Sequence, residues 1–299
     1  MKNKVCLFLV ALHTLTWTGP ARAENELSHL LVGSSRDYYQ VKKGDFLTTI
    51  AGRVGESAMA IAQANQIDYK AHIIPGQVLK IDNAHVVPET LENGMLINVP
   101  QRLLFFFRNG VLVGTYPVGL GKPTWPTPIR DFDVALLSKN PNWIVPINIQ
   151  EEMRREGEVV RTEVPPGPDN PLGKYWIGLS HPGYGIHGTV SPSSIYQFRS
   201  HGCIRLRNED IAQLFPQVMI GDPVRIIYSS VLVAALDDGR IYLEVNPDAY
   251  DRGANALRIL VQTAEANHLA DRIDWAMAAQ VIQKHEGLAR QINLEAHNH

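Results

Sequence analysis

Two short strings hold the residue types that nucleophilic chemistry needs: His187-Gly188-Thr189 and Ser200-His201-Gly202-Cys203-Ile204-Arg205-Leu206. The 299-residue chain has two cysteines, and the other, Cys6, lies in an N-terminal stretch that reads as a cleaved leader. Cys203 is then left without an intramolecular disulfide partner. A lone thiol in an oxidising compartment is a liability unless burial makes it inert or its reactivity is used. Ser, His and Gly before it and Arg two residues after it are poor company for an apolar core strand and good company for a stabilised thiolate. Nucleophile, buried structural thiol and metal ligand are the three roles open to it, and its neighbours favour the first.

A thiol attacks as thiolate, and a neighbouring imidazole can take its proton. His187 follows an expected strand end, Gly183-Tyr184-Gly185-Ile186, from which its ring can face the turn bearing Cys203; it is the candidate general base. His201 is nearer in sequence, but two residues along an extended chain is a poor hydrogen-bonding geometry. It is read with Ser200 as an orienting residue. Gly188 and Gly202 let the main chain approach a reacting carbonyl, and so are candidate oxyanion or orienting positions. Residues 171–208 carry Lys174, Arg199, Arg205 and Arg207 with three histidines and no Asp or Glu. That segment predicts a positive site, which favours thiolate and recruits carboxylate-bearing substrates. Arg205, Thr189 and Lys174 are the candidate substrate-binding residues. The chemistry calls for no cofactor. A zinc site from His181, His187, His201 and Cys203 has suitable residue types but no C-x-x-C or H-E-x-x-H spacing, so no metal ligand is assigned.

The elements that must position these residues follow from local pattern. Lys2 and Lys4, an apolar run from Val5 to Trp17, Gly19-Pro20 and Ala21-Arg22-Ala23 read as a signal peptide over 1–23. The run is too short to span a bilayer, so the chain is expected to be secreted to the periplasm or cell envelope with no membrane span. Without Lys2, Lys4 and Arg22, 25 basic residues face 30 acidic ones. This mild acidity excludes a general nucleic-acid binder.

A first module over 38–83 reads as strand Tyr39–Val41, Asp45 as helix N-cap, a helix through Leu47, Ile50 and Ala51, a second helix over Met59–Asn65 and a strand Val78–Ile81. A second domain over 95–228 opens with a hairpin about Asn109-Gly110. Strands are expected at Phe132–Leu137, Tyr175–Leu179 and Val224–Tyr228, and helices at Ile149–Arg155 and Glu209–Val218, the latter capped by Asn208. Residues 229–299 read as a packing extension, with a hairpin of Val231–Ala235 and Arg240–Val245 and helices at about 253–265 and 275–284.

The first module resembles a LysM module through Tyr39-x-Val41-Lys42-Lys43-Gly44-Asp45, Ile50-Ala51, Ala64-Asn65 and Ile74-Pro75-Gly76-Gln77-x-Leu79-x-Ile81. Phe46 and Thr48 stand where that family usually has Thr and an aromatic residue. The resemblance implies binding to N-acetylglucosamine-containing glycan, chiefly peptidoglycan. The catalytic strings resemble the active-site signature of the L,D-transpeptidase (YkuD-like) family, supported by Asn140-Pro141-x-Trp143, Pro165-x-Gly167-x-Asp169-Asn170-Pro171-Leu172-Gly173 and Gly221-x-Pro223-Val224. Pro126-Thr127-Pro128-Ile129-Arg130 departs from that family's Thr-Pro-x-Gly stretch. The overall expectation is an α+β chain: a βααβ LysM module, a mostly β catalytic domain, and a C-terminal hairpin and helical extension.

The catalytic resemblance implies that the Cys203 thiolate attacks the carbonyl before the terminal D-alanine of a peptidoglycan tetrapeptide. D-Alanine leaves, a thioester forms, and an amine resolves it; that amine belongs to another stem peptide, giving a 3-3 cross-link, or to an envelope lipoprotein. Water as acceptor, which makes the protein an L,D-carboxypeptidase, and a non-catalytic wall-binding protein are the alternatives.

Overall fold

In the computed structural model, residues 27–34 and 37–294 are described. The proposed signal peptide, with Cys6, lies outside them. Among the described residues no helix is long and apolar enough to cross a membrane.

The N-terminal module is β1 (Asp37–Gln40), α1 (Leu47–Val54), α2 (Ala58–Ala64) and β2 (Val78–Ile81), with β1 and β2 antiparallel. Its small core is Leu47, Ile50, Ile61, Leu79 and Ile81. Asp45 does not cap α1. Phe46 holds that position, its N–H donating to Thr49 Oγ1 at 2.9 Å. Asp45 is taken instead by the Lys42 N–H and the Tyr39 hydroxyl, each at 2.8 Å, and by Arg53 at 3.0 Å. A carboxylate turned to these three donors faces away from the amides of the first helical turn. Asn65 exchanges hydrogen bonds with Lys80 and so ties the end of α2 to β2.

The second domain is an eight-stranded sheet. In chain order its strands are β3 (Gly94–Asn98), β4 (Leu103–Arg108), β5 (Val111–Pro117), β6 (Asp131–Lys139), β7 (Tyr175–Leu179), β8 (Gly185–His187), β9 (Ile204–Arg205) and β10 (Pro223–Ile227). Their spatial order is β9-β8-β7-β6-β10-β3-β4-β5, antiparallel except for the pairs β8/β9 and β10/β3. Asn109 and Gly110 have φ of 49° and 72°, the double positive φ that a two-residue hairpin loop needs. β4 is buried on both faces, which explains why its apolar run does not alternate. One face joins Met95, Ile97, Phe132, Ile177 and Ile186 over Ile211 and Leu214 of α4 (Asn208–Leu214). The other packs Phe105 and Phe107 on Tyr196.

The two edges of this sheet meet. Past β5 the chain reaches Gly119, which exchanges two 2.8 Å backbone hydrogen bonds with Arg205 of β9. The sheet therefore curls shut beside Cys203. Between β6 and β7 an excursion carries α3 (Ile147–Arg155) and a two-residue strand pair, Trp143–Ile144 with Glu163–Val164. Buried Asn170 closes its base, donating to Pro141 O at 2.9 Å and Val164 O at 3.1 Å and accepting from the Leu172 N–H at 2.9 Å.

The C-terminal extension pairs β11 (Val231–Ala235) with β12 (Ile241–Val245), adds β13 (Arg290–Gln291), and packs α5 (Ala256–Ala266) and α6 (Trp275–Lys284) over them.

Candidate active site

β8 and β9 run side by side with His187 opposite Arg205, so the parallel pairing brings the two sequence strings together. Both line a cleft of about 900 Å³ with Cys203, Ser200 and His201. The far wall is α3 and its flanks, which contribute Trp143, Glu152 and Met153.

His187 is buried, 4% exposed. Its Nδ1 lies 2.6 Å from the Gly188 carbonyl, which can only accept, so Nδ1 carries the hydrogen and Nε2 keeps a free lone pair. Trp176 stacks on the imidazole at 5.7 Å. Burial, and then the nearby Arg205 guanidinium, push His187 down to about 3. Half-buried Cys203 has its Sγ 3.5 Å from Gly183 O. Burial pushes this thiol up, against a Gly185 backbone hydrogen bond and the Arg205 charge, both of which favour thiolate. Desolvation outweighs the cation, and the resting pair is neutral thiol and neutral imidazole. Local positive charge favours the thiolate, as the sequence implies, and burial works against it.

That state has a direct readout. Alkylation of Cys203 in substrate-free protein should accelerate with pH through and beyond the ordinary thiol value of about 8.5. His187 stays neutral well below pH 6.5, so its titration adds no inflection there. A rate already flat between pH 6 and 8 would mean a preformed thiolate–imidazolium pair.

The charge reading of residues 171–208 also needs correcting. The excursion brings Glu152, Glu156 and Glu158 to the same cleft, facing Lys122 and Arg205. Glu152 takes Lys122 Nζ at 2.6 Å and also bonds His201 Nε2, whose ring sits edge-on to Trp125 at 4.8 Å. The Lys122 hydrogen bond, more than that of His201, holds the Glu152 carboxyl below its usual range. Lys174 is exposed and does not line the cleft, whereas Lys122 does. Thr189 is buried outside it, its N–H on Asn208 Oδ1 and its hydroxyl on the Ser191 N–H, both at 3.0 Å. Neither lines the cleft.

Ser200 braces the turn that bears Cys203, donating to Cys203 O at 2.5 Å and accepting the Gly202 N–H at 3.2 Å. The Gly202 amide is thereby engaged and orients the turn rather than facing a substrate oxygen. Gly202 has φ of +98°, and a Cβ there would meet Tyr184 at 2.9 Å. Asn208, expected as a helix cap, is the first residue of α4. Its amide instead grips both polar groups of the Thr189 backbone, at 3.0 and 2.9 Å. A Cβ on Gly188 would stand 2.3 Å from that amide, which is why this position in the histidine string is glycine. Among the described residues no three His, Cys, Asp or Glu side chains gather to hold a metal ion. A second groove of about 260 Å³, lined by Phe46, Thr48, Tyr69 and His72 among others, lies on the N-terminal module.

A curled β sheet holding a thiol, an imidazole with a free Nε2 and a guanidinium in one cleft can support acyl transfer through sulfur. Comparison with known proteins agrees. The family model described as the L,D-transpeptidase catalytic domain matches residues 92–226, and that of the LysM domain matches 39–82. The protein named "Probable L,D-transpeptidase YbiS" from Escherichia coli is 32% identical over 226 residues, which cover 73% of this chain and 74% of that one. "Probable L,D-transpeptidase ErfK/SrfK" from Salmonella typhimurium is 34% identical over 206 residues, which cover 67% of this chain and 65% of its own length. The chain belongs to the L,D-transpeptidase family, with an N-terminal LysM module.

Proposed function

We propose that this protein is a peptidoglycan L,D-transpeptidase in the periplasm or cell envelope, with Cys203 as nucleophile and His187 as general base. The observation that carries the reading is the Nδ1–H···O=C bond of His187, which leaves Nε2 unprotonated in the cleft that holds Cys203. His201 has spent its Nε2 on Glu152 and serves as an orienting residue. Because both partners rest neutral, the Sγ proton moves to His187 as the carbon–sulfur bond forms. The donor is the tetrapeptide stem; its carbonyl before the terminal D-alanine is attacked, and His187 returns the proton to the leaving amine. The Cys203 amide, beside the Sγ and next to Gly202, is the candidate donor to the developing oxyanion. An acceptor amine then opens the thioester. Arg205 and Lys122 supply the positive charge for stem-peptide carboxylates. The LysM groove would hold the glycan and raise the local concentration of stems.

Purified protein incubated with wall fragments should release D-alanine and yield 3-3 cross-linked muropeptides; release with no new linkage would make water the acceptor. His187→Ala should slow D-alanine release by about 100-fold or more, and His201→Ala by less. Equal losses would remove His187 as the base.

A further inference from the structure

The C-terminal extension reaches the cleft at one point. Tyr250, past the end of the catalytic-family match at residue 226, turns its hydroxyl into the loop from Gly121 to Thr127. It donates to Gly121 O at 2.8 Å and accepts the Thr127 N–H at 3.1 Å. One hydroxyl thus bridges the two ends of a seven-residue loop whose middle presents Lys122 and Trp125 to the cleft. The loop is drawn in tightly. The Gly121 N–H meets Thr127 Oγ1 at 2.9 Å, and a Cβ on Gly121 would lie 2.4 Å from Trp125 O.

This loop is bonded to the nucleophile. The Lys122 N–H donates to Ser200 O at 2.9 Å, and the Ser200 hydroxyl holds Cys203 O at 2.5 Å. Pro126 O lies 3.4 Å from where a Gly202 Cβ would be, so the loop also forms the floor of the nucleophile turn. The Tyr250 ring is fixed from both sides, edge-on to Phe198 at 5.5 Å and stacked on Tyr228 at 5.6 Å, and the Tyr250 N–H donates to the Tyr228 hydroxyl at 3.0 Å. A rigid ring aims a single polar group at two backbone atoms, Gly121 O and Thr127 N.

We propose that Tyr250 is a positioning residue for acyl transfer: its hydroxyl clamps the Gly121–Thr127 loop and so sets the register of Lys122 against the donor and of the Ser200–Cys203 turn against His187. The assignment rests on the reading of Cys203 as nucleophile. It gives residues 229–294 a part in the reaction beyond packing. It also gives Pro126-Thr127-Pro128 a part: buried Thr127 donates its N–H to the Tyr250 hydroxyl and accepts the Gly121 N–H on Oγ1.

Tyr250→Phe in the whole protein keeps the ring contacts and removes only the clamp. Expected are faster amide hydrogen exchange across residues 121–127, a thermal midpoint lowered by only about a few degrees, and a fall of about tenfold or more in kcat for D-alanine release from soluble tetrapeptide, well beyond what that shift explains, with a smaller change in KM. Unchanged exchange in that loop overturns the proposal, as do rates within about twofold of the unsubstituted protein. A loss of rate that merely tracks a lowered midpoint assigns Tyr250 to stability and overturns it as well. The exchange measurement needs no turnover. If the unsubstituted protein releases no D-alanine, the acyl-transfer reading fails while exchange still decides the clamp.

Discussion

Cys203→Ala is expected to fold as the parent does and to release D-alanine from tetrapeptides at least roughly 10⁴-fold more slowly, because a removed nucleophile has no substitute in the cleft. Folding should survive because the thiol's hydrogen bonds, to Gly183 O at 3.5 Å and from the Gly185 backbone, are the weak ones of sulfur, and the turn around it is held by the Ser200 hydroxyl and the Gly202 amide. The same site predicts a covalent probe. A carbapenem presents a strained carbonyl to the thiol, and opening its four-membered ring expels no fragment, so the intact drug stays attached. Intact-mass measurement should show one adduct on the unsubstituted protein and none on Cys203→Ala. An adduct that survives the substitution, or D-alanine release near the parent rate, would place the nucleophile elsewhere.

How much of this site is legible in the sequence depends on how far apart its members lie. Cys203, His187 and Arg205 sit in two strings that adjacent strands bring face to face, and residue type with short spacing identifies them. The Asn109-Gly110 hairpin is legible for a similar local reason, since its turn demands φ that few residues adopt. Lys122, Trp125 and Glu152 reach the cleft through sheet closure and through the β6–β7 excursion, and no local pattern marks them. A charge count over 171–208 therefore described a segment, whereas the cleft also has an acidic wall. Trp176 had a faint signal: Gly178 and Gly185 lie opposite each other on β7 and β8, and a Cβ at either would collide with its ring, at 2.9 and 2.4 Å. Asp45 and Asn208 show the limit of capping rules, because both side chains sit beside a helix start and bond elsewhere.

The docking of the modules is a further feature that sequence does not reveal. Gly52 of α1 packs against Ile195, where a Cβ would stand 3.0 Å from that side chain. Gly55, which ends α1, gives its carbonyl to His85 of the linker. The LysM module is therefore seated on the catalytic domain rather than tethered to it by a free linker.

The core of that docking is a buried ion pair, and breaking it should be strongly destabilising. His85 Nε2 faces the Gly55 carbonyl at 2.8 Å and Nδ1 faces Glu244 Oε1 at 3.1 Å. Both partners only accept, so both ring nitrogens carry hydrogen and His85 is an imidazolium. Burial opposes that charge, but the Glu244 carboxylate overrides it and the net direction of the His85 pKa is upward. Glu244, 0% exposed on β12, also receives the Val86 N–H at 2.7 Å, Gln101 Nε2 at 3.0 Å and Asn246 Nδ2 at 3.1 Å. One carboxylate thus joins the LysM linker, the catalytic domain and the C-terminal extension. Glu244→Ala leaves those donors unpaired in the interior and is expected to cost about 3–5 kcal/mol. The sign of the pH dependence follows from the raised pKa. The His85 contribution is complete below its unfolded value of about 6.5 and fades as pH rises through the higher folded value. The gap in denaturation midpoint between parent and Glu244→Ala should therefore be widest near pH 6 and narrow in alkali, with Glu244→Gln falling between the two. A gap that does not vary with pH would show that His85 is neutral and that Glu244 acts as a hydrogen-bond acceptor alone.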